Sequence, residues 1–189
     1  MKNFMAFNSL DVTFSPQINI IFGENGTGKS ALLKVMYAAM KSIAEVKNGK
    51  NELVGEKIES IMIDKLVGVF MPENDSVGRL VSRQQGSNRA DIKLKLSNEK
   101  ELCMGFGNRQ TKHMHFDILS GMKIDNFMPV FIPPKEIISS TSNFTSLYDN
   151  YHIAIEETYY DLARLLMRPL KKGQIQMSRT VCLLNSLKS

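Results

Sequence analysis

The sequence predicts an α/β fold in which a buried strand, a glycine-rich turn and an amphipathic helix are joined to an antiparallel β subdomain. Residues 18–22 form a nearly continuous apolar run, as in a strand buried on both faces. In residues 29–47 the apolar side chains recur with helical spacing until Asn48 and Gly49 end the pattern. Residues 90–96 alternate between apolar and polar side chains, which is typical of a half-buried antiparallel strand.

The composition is that of one compact globular unit. The chain has 189 residues, of which 43% are hydrophobic and 23% charged, and this balance excludes disordered and fibrous classes. No apolar run approaches the roughly 20 residues of a membrane-spanning helix, and the first residues lack the apolar core of a secretory signal. Two cysteines, Cys103 and Cys182, are too few for a disulfide framework. We therefore expect a cytoplasmic protein with no membrane partner.

The charge balance alone does not identify a partner. The 24 Lys and Arg residues against 19 Asp and Glu residues give a formal net charge of +5, which suits a phosphate-rich partner and an ordinary basic surface alike. The basic residues of the middle region are Arg79, Arg83, Arg89, Lys93, Lys95, Arg109 and Lys112. They fit contact with a nucleic-acid backbone or, more simply, a solvated strand face, because no aromatic residues are interleaved for base stacking.

The first half of the chain is predicted to contain three strands and two helices. Residues 3–7, 10–14 and 18–22 read as strands separated by turns, and the third as fully buried. A second helix is expected over residues 52–70, where it must end because Pro72 follows.

The second half is predicted to contain further strands and one helix. Residues 101–106 and 113–118 read as antiparallel neighbours of the strand at residues 90–96, and residues 128–132 as a short buried strand. After a stretch rich in Ser and Thr, residues 151–167 have helical spacing. The acidic side chains on this helix are expected to form a solvated face, and they are Glu156, Glu157 and Asp161.

One motif carries chemistry. Residues 23–30, Gly-Glu-Asn-Gly-Thr-Gly-Lys-Ser, match the phosphate-binding pattern G-x-x-x-x-G-K-[ST] in full. A strand before the motif and a helix after it are the context in which such a loop cradles phosphates with its backbone N–H groups. The predicted nucleotide-binding residues are Gly23, Glu24, Asn25, Gly26, Thr27, Gly28, Lys29 and Ser30. The implied cofactors are ATP and Mg²⁺.

Two side chains of the motif have distinct expected roles. Lys29 should reach the β- and γ-phosphates and stabilise the charge that develops in phosphoryl transfer, which makes it the catalytic candidate. Ser30 should ligate Mg²⁺ through its hydroxyl. The glycines at 23, 26 and 28 leave no side chain in the way of the phosphates.

The loop and its surroundings resemble a known family. GENGTGKS, preceded by NFMAF, LDVTF and INIIF, resembles the opening of ABC-type ATPase heads of the SMC and double-strand-break-repair kind. Together with KLVGVFMPEN, RLVSR, VFIPPKEIIS and ETYYDLARLL, it is more closely similar to bacterial AAA family ATPases associated with restriction and phage defence. The resemblance implies a P-loop NTPase core like lobe I of an ABC ATPase head. Residues 1–189 would then form a single domain that corresponds to the N-terminal portion of a full head.

Two elements of a complete head of this family are not found. Such a head has a signature sequence and an apolar strand that ends in Asp-Glu. Residues 119–121, Leu-Ser-Gly, begin like a signature, but Met122 replaces the second glycine. The apolar run at residues 128–132 ends in Pro-Pro, and residues 61–64, Ile-Met-Ile-Asp, lie inside a helical pattern. The resemblance therefore implies that the missing groups come from another segment or another chain, such as a second protomer.

The sequence predicts binding of Mg-ATP, coupled in the intact system to hydrolysis by a DNA-related or phage-defence ATPase. The alternative is a non-hydrolysing nucleotide-binding interaction module, or a truncated ATPase, that needs a partner. A P-loop kinase is disfavoured because no acceptor-site or lid motif is present. The partners considered are nucleotide, a second copy or a partner protein, and nucleic acid.

Two weaker signals complete the candidates. His113, His115 and Cys103 lack the second Cys or His cluster that a zinc site needs, so no zinc site is predicted. Lys135 and Glu136 follow a buried strand, where one of them would either approach the nucleotide or belong to a plain turn.

Overall fold

A five-stranded antiparallel sheet is the main layer of the computed structural model. The structure describes residues 1–48, 55–96, 101–118, 128–135, 141–151, 153–169 and 182–183. The strands of the sheet are β1 (Lys2–Phe4), β2 (Phe7–Ser9), β3 (Arg89–Lys95), β4 (Glu101–Gly107) and β5 (His115–Ile118). Their spatial order is β2-β1-β3-β4-β5.

Two helices pack on one face of this sheet, and two more helices and a short parallel strand pair belong to the same structure. These elements are α1 (Lys29–Asn48), α2 (Gly55–Phe70), β6 (Val130–Phe131), α3 (Thr141–Asn150), α4 (Glu157–Leu166) and β7 (Cys182–Leu183). Strand β6 pairs with β7 in parallel, and α1 and α2 pack against each other. A search of the described ranges found no helix both long and apolar enough to span a bilayer. The coarse prediction of a mixed α/β fold is confirmed.

The register of β3 and β4 confirms the predicted alternation. Ala90 lies opposite Phe106 and Ile92 opposite Met104, and these four side chains are buried. Alternate side chains of a strand point to opposite faces, so the charged residues between them face outward. The predicted strand at residues 113–118 is shorter at its start, because β5 begins at His115.

The hydrophobic core lies between the sheet and helices α1 and α2. The ring of Phe4 packs edge-on against Phe70, with centroids 5.6 Å apart, and against Phe106, with centroids 6.5 Å apart. Helix α1 also buries Tyr37 and Ala38, which lie off the predicted apolar stripe. Since α1 contacts β6 as well as α2, it is covered on two sides and not one.

Of the three strands predicted before the glycine-rich loop, the first is confirmed in part and the other two are wrong. The first hairpin turns at residues 5 and 6, so β2 occupies the predicted turn, and residues 10–14 and 18–22 are not strands. A buried parallel strand needs neighbours for its backbone N–H and C=O groups. None of the described strands pairs with residues 18–22, and their side chains are largely exposed.

The C-terminal helix prediction is wrong at its start. The amides of Ile153 and Ile155 donate to carbonyls two residues earlier, at Tyr151 and Ile153, a pattern that excludes the helical ladder. Helix α4 begins only at Glu157, and the Ser/Thr-rich stretch before it forms α3. Tyr148 of α3 stacks on Tyr160 of α4 at 4.5 Å, so packing outweighs the weak helix propensity of Ser and Thr.

Candidate nucleotide-binding loop

The predicted loop at residues 23–30 leads directly into helix α1. Gly26 and Gly28 have φ angles of 84° and 94°, which are in the left-handed region that glycine adopts without strain. Helix α1 begins at Lys29 and has no acidic residue in its first turn. The positive end of its dipole is therefore not neutralised by its own side chains, and it points to a place where an anion is favoured.

Lys29 lies over the loop and binds its backbone. Its ammonium Nζ donates to the carbonyl oxygens of Gly23 at 2.7 Å and Glu24 at 2.6 Å. The Thr27 hydroxyl donates to the same Glu24 carbonyl at 2.9 Å. The loop backbone thus surrounds the Lys29 ammonium. A phosphate bound to the N–H groups of the loop would therefore lie close to this positive charge.

The donor set fits a nucleotide triphosphate with a divalent cation. Glu24, Asn25, Thr27 and Ser30 are exposed, so the outer side of the loop is open to a ligand. Lys29 supplies a positive charge, and the Ser30 hydroxyl lies in the first turn of α1. A hydroxyl at this place is a hard oxygen ligand of the kind Mg²⁺ takes together with phosphate oxygens.

An apolar pocket of about 400 Å³ adjoins the loop. Phe7, Val12, Phe14 and Ile20 contribute to its walls, and Lys29 of the loop reaches its edge. Sequence analysis did not identify Phe7 as part of this region, because no local pattern indicates that strand β2 lies beside the loop at residues 23–30.

Apolar side chains are exposed in the segment that precedes the loop. Ile18, Ile20 and Phe22 are 81%, 78% and 89% exposed, respectively. Ile21 points the other way and packs against the core. Apart from Ile21, the side chains of residues 18–22 are therefore exposed to solvent.

A cluster of charged side chains joins α4 to helices α1 and α2. The Lys65 ammonium of α2 lies 2.5 Å from Glu157, 3.2 Å from Glu45 and 3.6 Å from Asp161. We call these four residues the Lys65 cluster. Lys34 of α1 pairs with Glu156 at 2.5 Å. The predicted solvated face of α4 is therefore wrong, since its acidic residues face α1 and α2.

Burial and charge shift the pKa values in this region. Burial alone would lower the pKa of Lys65, but the carboxylates of Asp161, Glu157 and Glu45 outweigh it and raise that pKa above its ordinary value. Burial, and then the negative charges of Asp161 and Glu45, raise the pKa of Glu157 against the pull of Lys65. The cluster holds more carboxylates than ammonium groups, so protonation of one carboxyl relieves repulsion.

Tyr37 of α1 also contacts an acidic residue of α4. Its buried hydroxyl donates to Asp161 at 2.6 Å, and Lys41 approaches the same carboxylate at 3.2 Å. Burial first, and then the charge of Asp161, raise the pKa of the Tyr37 hydroxyl well above its ordinary value. Sequence spacing alone did not indicate these contacts, because each joins helices that are distant in the chain.

Several of the weaker candidates lie outside the described residues. Residues 119–122 and Glu136 are outside them. Residues 61–64 lie within α2, so they are not an acidic strand end. In the part of the chain that the structure describes, no group of three or more His, Cys, Asp or Glu side chains is arranged to hold a metal ion.

The basic residues of the middle region do not form a uniformly positive surface. Arg89 pairs with Asp91 at 2.9 Å, and Arg79 pairs with Glu73 at 3.2 Å. On the outward face of β3, Asp91 lies between Arg89 and Lys93. Mixed charge of this kind fits a solvated strand face.

A known protein family matches most of the chain. Residues 1–146 match the family described as an AAA domain. This match covers the loop and the whole five-stranded sheet. No solved structure matches the chain significantly.

Curated relatives of this chain include DNA replication and repair proteins RecF. The protein of Lacticaseibacillus casei is 30% identical over 92 residues, which are 49% of this chain and 21% of the relative. That of Listeria monocytogenes is 30% identical over 109 residues, which are 57% of this chain and 28% of the relative. The matches thus span about a quarter of the relatives' length. They confirm the predicted resemblance at the level of a P-loop ATPase region of the ABC/SMC type.

Proposed function

This chain belongs to the AAA domain family, and on that premise we propose that its loop at residues 23–30 binds ATP together with Mg²⁺. The observation that carries the proposal is the curled loop, in which the Lys29 ammonium meets the carbonyl groups of Gly23 and Glu24. Phosphate oxygens offer this ammonium charge-assisted hydrogen bonds, which are stronger than those to neutral carbonyls.

Each residue of the loop has a role in this proposal. The backbone N–H groups of residues 23–30 hold the phosphates, helped by the N-terminus of α1. Lys29 binds the terminal phosphates, and the Ser30 hydroxyl holds the cation. Bound Mg²⁺ neutralises phosphate charge and fixes the orientation of the triphosphate.

We place hydrolysis in an assembled ATPase. The sequence contains neither the signature nor the acidic strand end that polarises the attacking water in this family. These groups would come from a second protomer or a partner protein. The names of the curated relatives support a role in DNA replication or repair, and the resemblance to defence-associated ATPases supports a phage-defence setting in the cytoplasm.

The first test is ATP binding by the purified chain. Lys29→Ala should weaken the affinity for Mg-ATP at least tenfold, because it removes charge-assisted hydrogen bonds of about 1.5–3 kcal/mol. Lys93→Ala is the matched control, since it removes the same charge from the exposed face of β3. Titration calorimetry with equal affinities for all three proteins would refute the proposal.

A second test separates the ATPase from the alternative of a non-hydrolysing binding module. Phosphate release by the chain alone would show self-contained hydrolysis, and would contradict the need for a partner. Binding without turnover is the expected result. Turnover that appears when duplex DNA is added would support nucleic acid as a partner.

A further inference from the structure

We propose that Phe7 is a positioning residue of the nucleotide-binding loop. Its ring supports the backbone at Gly28 and thereby keeps the second half of the loop in the shape that holds phosphates. This inference rests on the proposed function and adds a residue outside the motif to it.

The contact between the two residues is close. A Cβ built on Gly28 would lie 2.6 Å from Cζ, 2.8 Å from Cε2 and 3.2 Å from Cε1 of the Phe7 ring. At such distances the ring or the loop would have to shift, so the tip of the ring fills the space beside the Gly28 Cα. Both this packing and the φ of 94° favour glycine at residue 28.

The strand that carries Phe7 is itself fixed. Phe7 lies opposite Phe4 in the first hairpin. The Ser82 hydroxyl donates to the carbonyl of Phe7 at 3.2 Å and to that of Met5 at 2.8 Å. The Met5 amide donates to Leu80 at 2.8 Å. The ring thus projects from a hairpin that is anchored to the core.

Gly28 connects the Phe7 ring to the residues proposed to bind phosphate, because it lies between the loop and helix α1. Its carbonyl accepts the Leu32 amide at 2.9 Å, within the first turn of α1. The next residue in the chain is Lys29, which shares the pocket wall with Phe7. Loss of the ring would let the peptide between loop and helix move, and the lysine and loop amides would lose their common orientation.

The test measures Mg-ATP affinity and urea unfolding for Phe7→Ala, Phe7→Leu and Phe116→Ala. We expect Phe7→Ala to weaken affinity about tenfold, and Phe7→Leu, which refills most of the space, less than threefold. Phe116 is the matched control because it is also a partly buried ring packed on the core. Phe116→Ala should lower the urea midpoint and leave affinity unchanged. Equal affinity losses for Phe7→Ala and Phe116→Ala, or no loss for Phe7→Ala, would overturn the proposal.

A double-mutant cycle with Gly28→Ala tests the contact without nucleotide. If the ring meets Gly28, the drop in urea midpoint caused by Gly28→Ala should be smaller in the Phe7→Leu background than in the unchanged chain. Equal drops in the two backgrounds would overturn the proposal. Wild-type protein that does not bind ATP would instead refute the proposed function, and this cycle would still decide whether Phe7 supports the loop.

Discussion

Gly26 and Gly86 adopt the same kind of left-handed backbone in different places. Their φ angles are 84° and 95°, and a Cβ built on either would meet nothing within 4 Å. Alanine at each position therefore has the cost of a left-handed backbone, about 1–2 kcal/mol, without a steric clash. Comparison of alanine variants at the two positions therefore distinguishes the effect of a left-handed residue in the loop from its effect in an ordinary bend.

We expect Gly26→Ala and Gly86→Ala to lower the free energy of unfolding by similar amounts. Only Gly26→Ala should weaken Mg-ATP binding, because relief of strain at residue 26 turns the neighbouring loop N–H groups away from the phosphates. Chemical denaturation and calorimetry of both variants measure the two effects. An unchanged affinity for Gly26→Ala would argue against backbone capture of phosphate at this loop.

Ionisation of Tyr37 on unfolding should lower the stability of the fold at alkaline pH. Its pKa is raised by burial and by Asp161, so the folded state keeps the hydroxyl protonated while the unfolded state ionises near pH 10. A raised pKa contributes stability below the unfolded value, and this contribution is lost as the pH rises past that value.

We expect Tyr37→Phe to cost about 1.5 kcal/mol of unfolding free energy at pH 8, through loss of a hydrogen bond to a carboxylate. About 1.4 kcal/mol of this difference should vanish by pH 11, because only the tyrosine protein gains from ionisation on unfolding. Denaturation midpoints of both proteins between pH 8 and 11 provide the measurement. A difference that stays constant with pH would mean that Tyr37 does not titrate on unfolding.

Among the elements, α4 is joined to α1 and α2 by charged side chains. Lys65 is buried between α2 and α4 and has carboxylates from both α1 and α4 around it. Gly68 allows this approach, because a Cβ there would overlap the Glu157 carboxylate. Removal of one partner from such a cluster leaves uncompensated buried charge, which costs more than the intact pairs contribute.

Lys65→Met should lower the unfolding free energy by about 3 kcal/mol at pH 7. The loss should shrink as the pH falls, because the raised pKa of Glu157 favours protonation in the folded state. Arg79→Met is the control, since its pair with Glu73 is exposed and should contribute less than about 0.5 kcal/mol. Similar losses for both variants at all pH values would contradict a buried cluster.

The elements that sequence reasoning found are those whose pattern is local. Helix α1, helix α2 and the alternation in β3 follow from spacing within one segment, and the loop at residues 23–30 is a run of consecutive residues. Helix α3 and the break before α4 depend on packing between segments, as does the contact of Phe7 with Gly28. Such contacts leave no periodic trace in either partner, so the sequence indicated the glycine-rich loop but not the side chains that pack against it.

At the scale of the whole molecule, the segment before the loop exposes apolar side chains to water. Residues 18–22 have the composition of a buried strand, yet Ile18 and Ile20 are 81% and 78% exposed. Exposed apolar area of this kind favours association. It makes little difference to the stability of the described fold, since these side chains are not withdrawn from water.

Ile18→Thr and Ile20→Thr test this directly. Each should change the free energy of unfolding by less than about 0.5 kcal/mol, and the double variant should associate less with itself at high concentration in sedimentation velocity. Ile92→Thr, at a position that is 1% exposed, should cost about 3 kcal/mol, because it removes buried apolar atoms and buries a hydroxyl. A cost at Ile20 equal to that at Ile92 would mean that the segment is a buried strand after all, and that its neighbours include more of the protein than the described sheet.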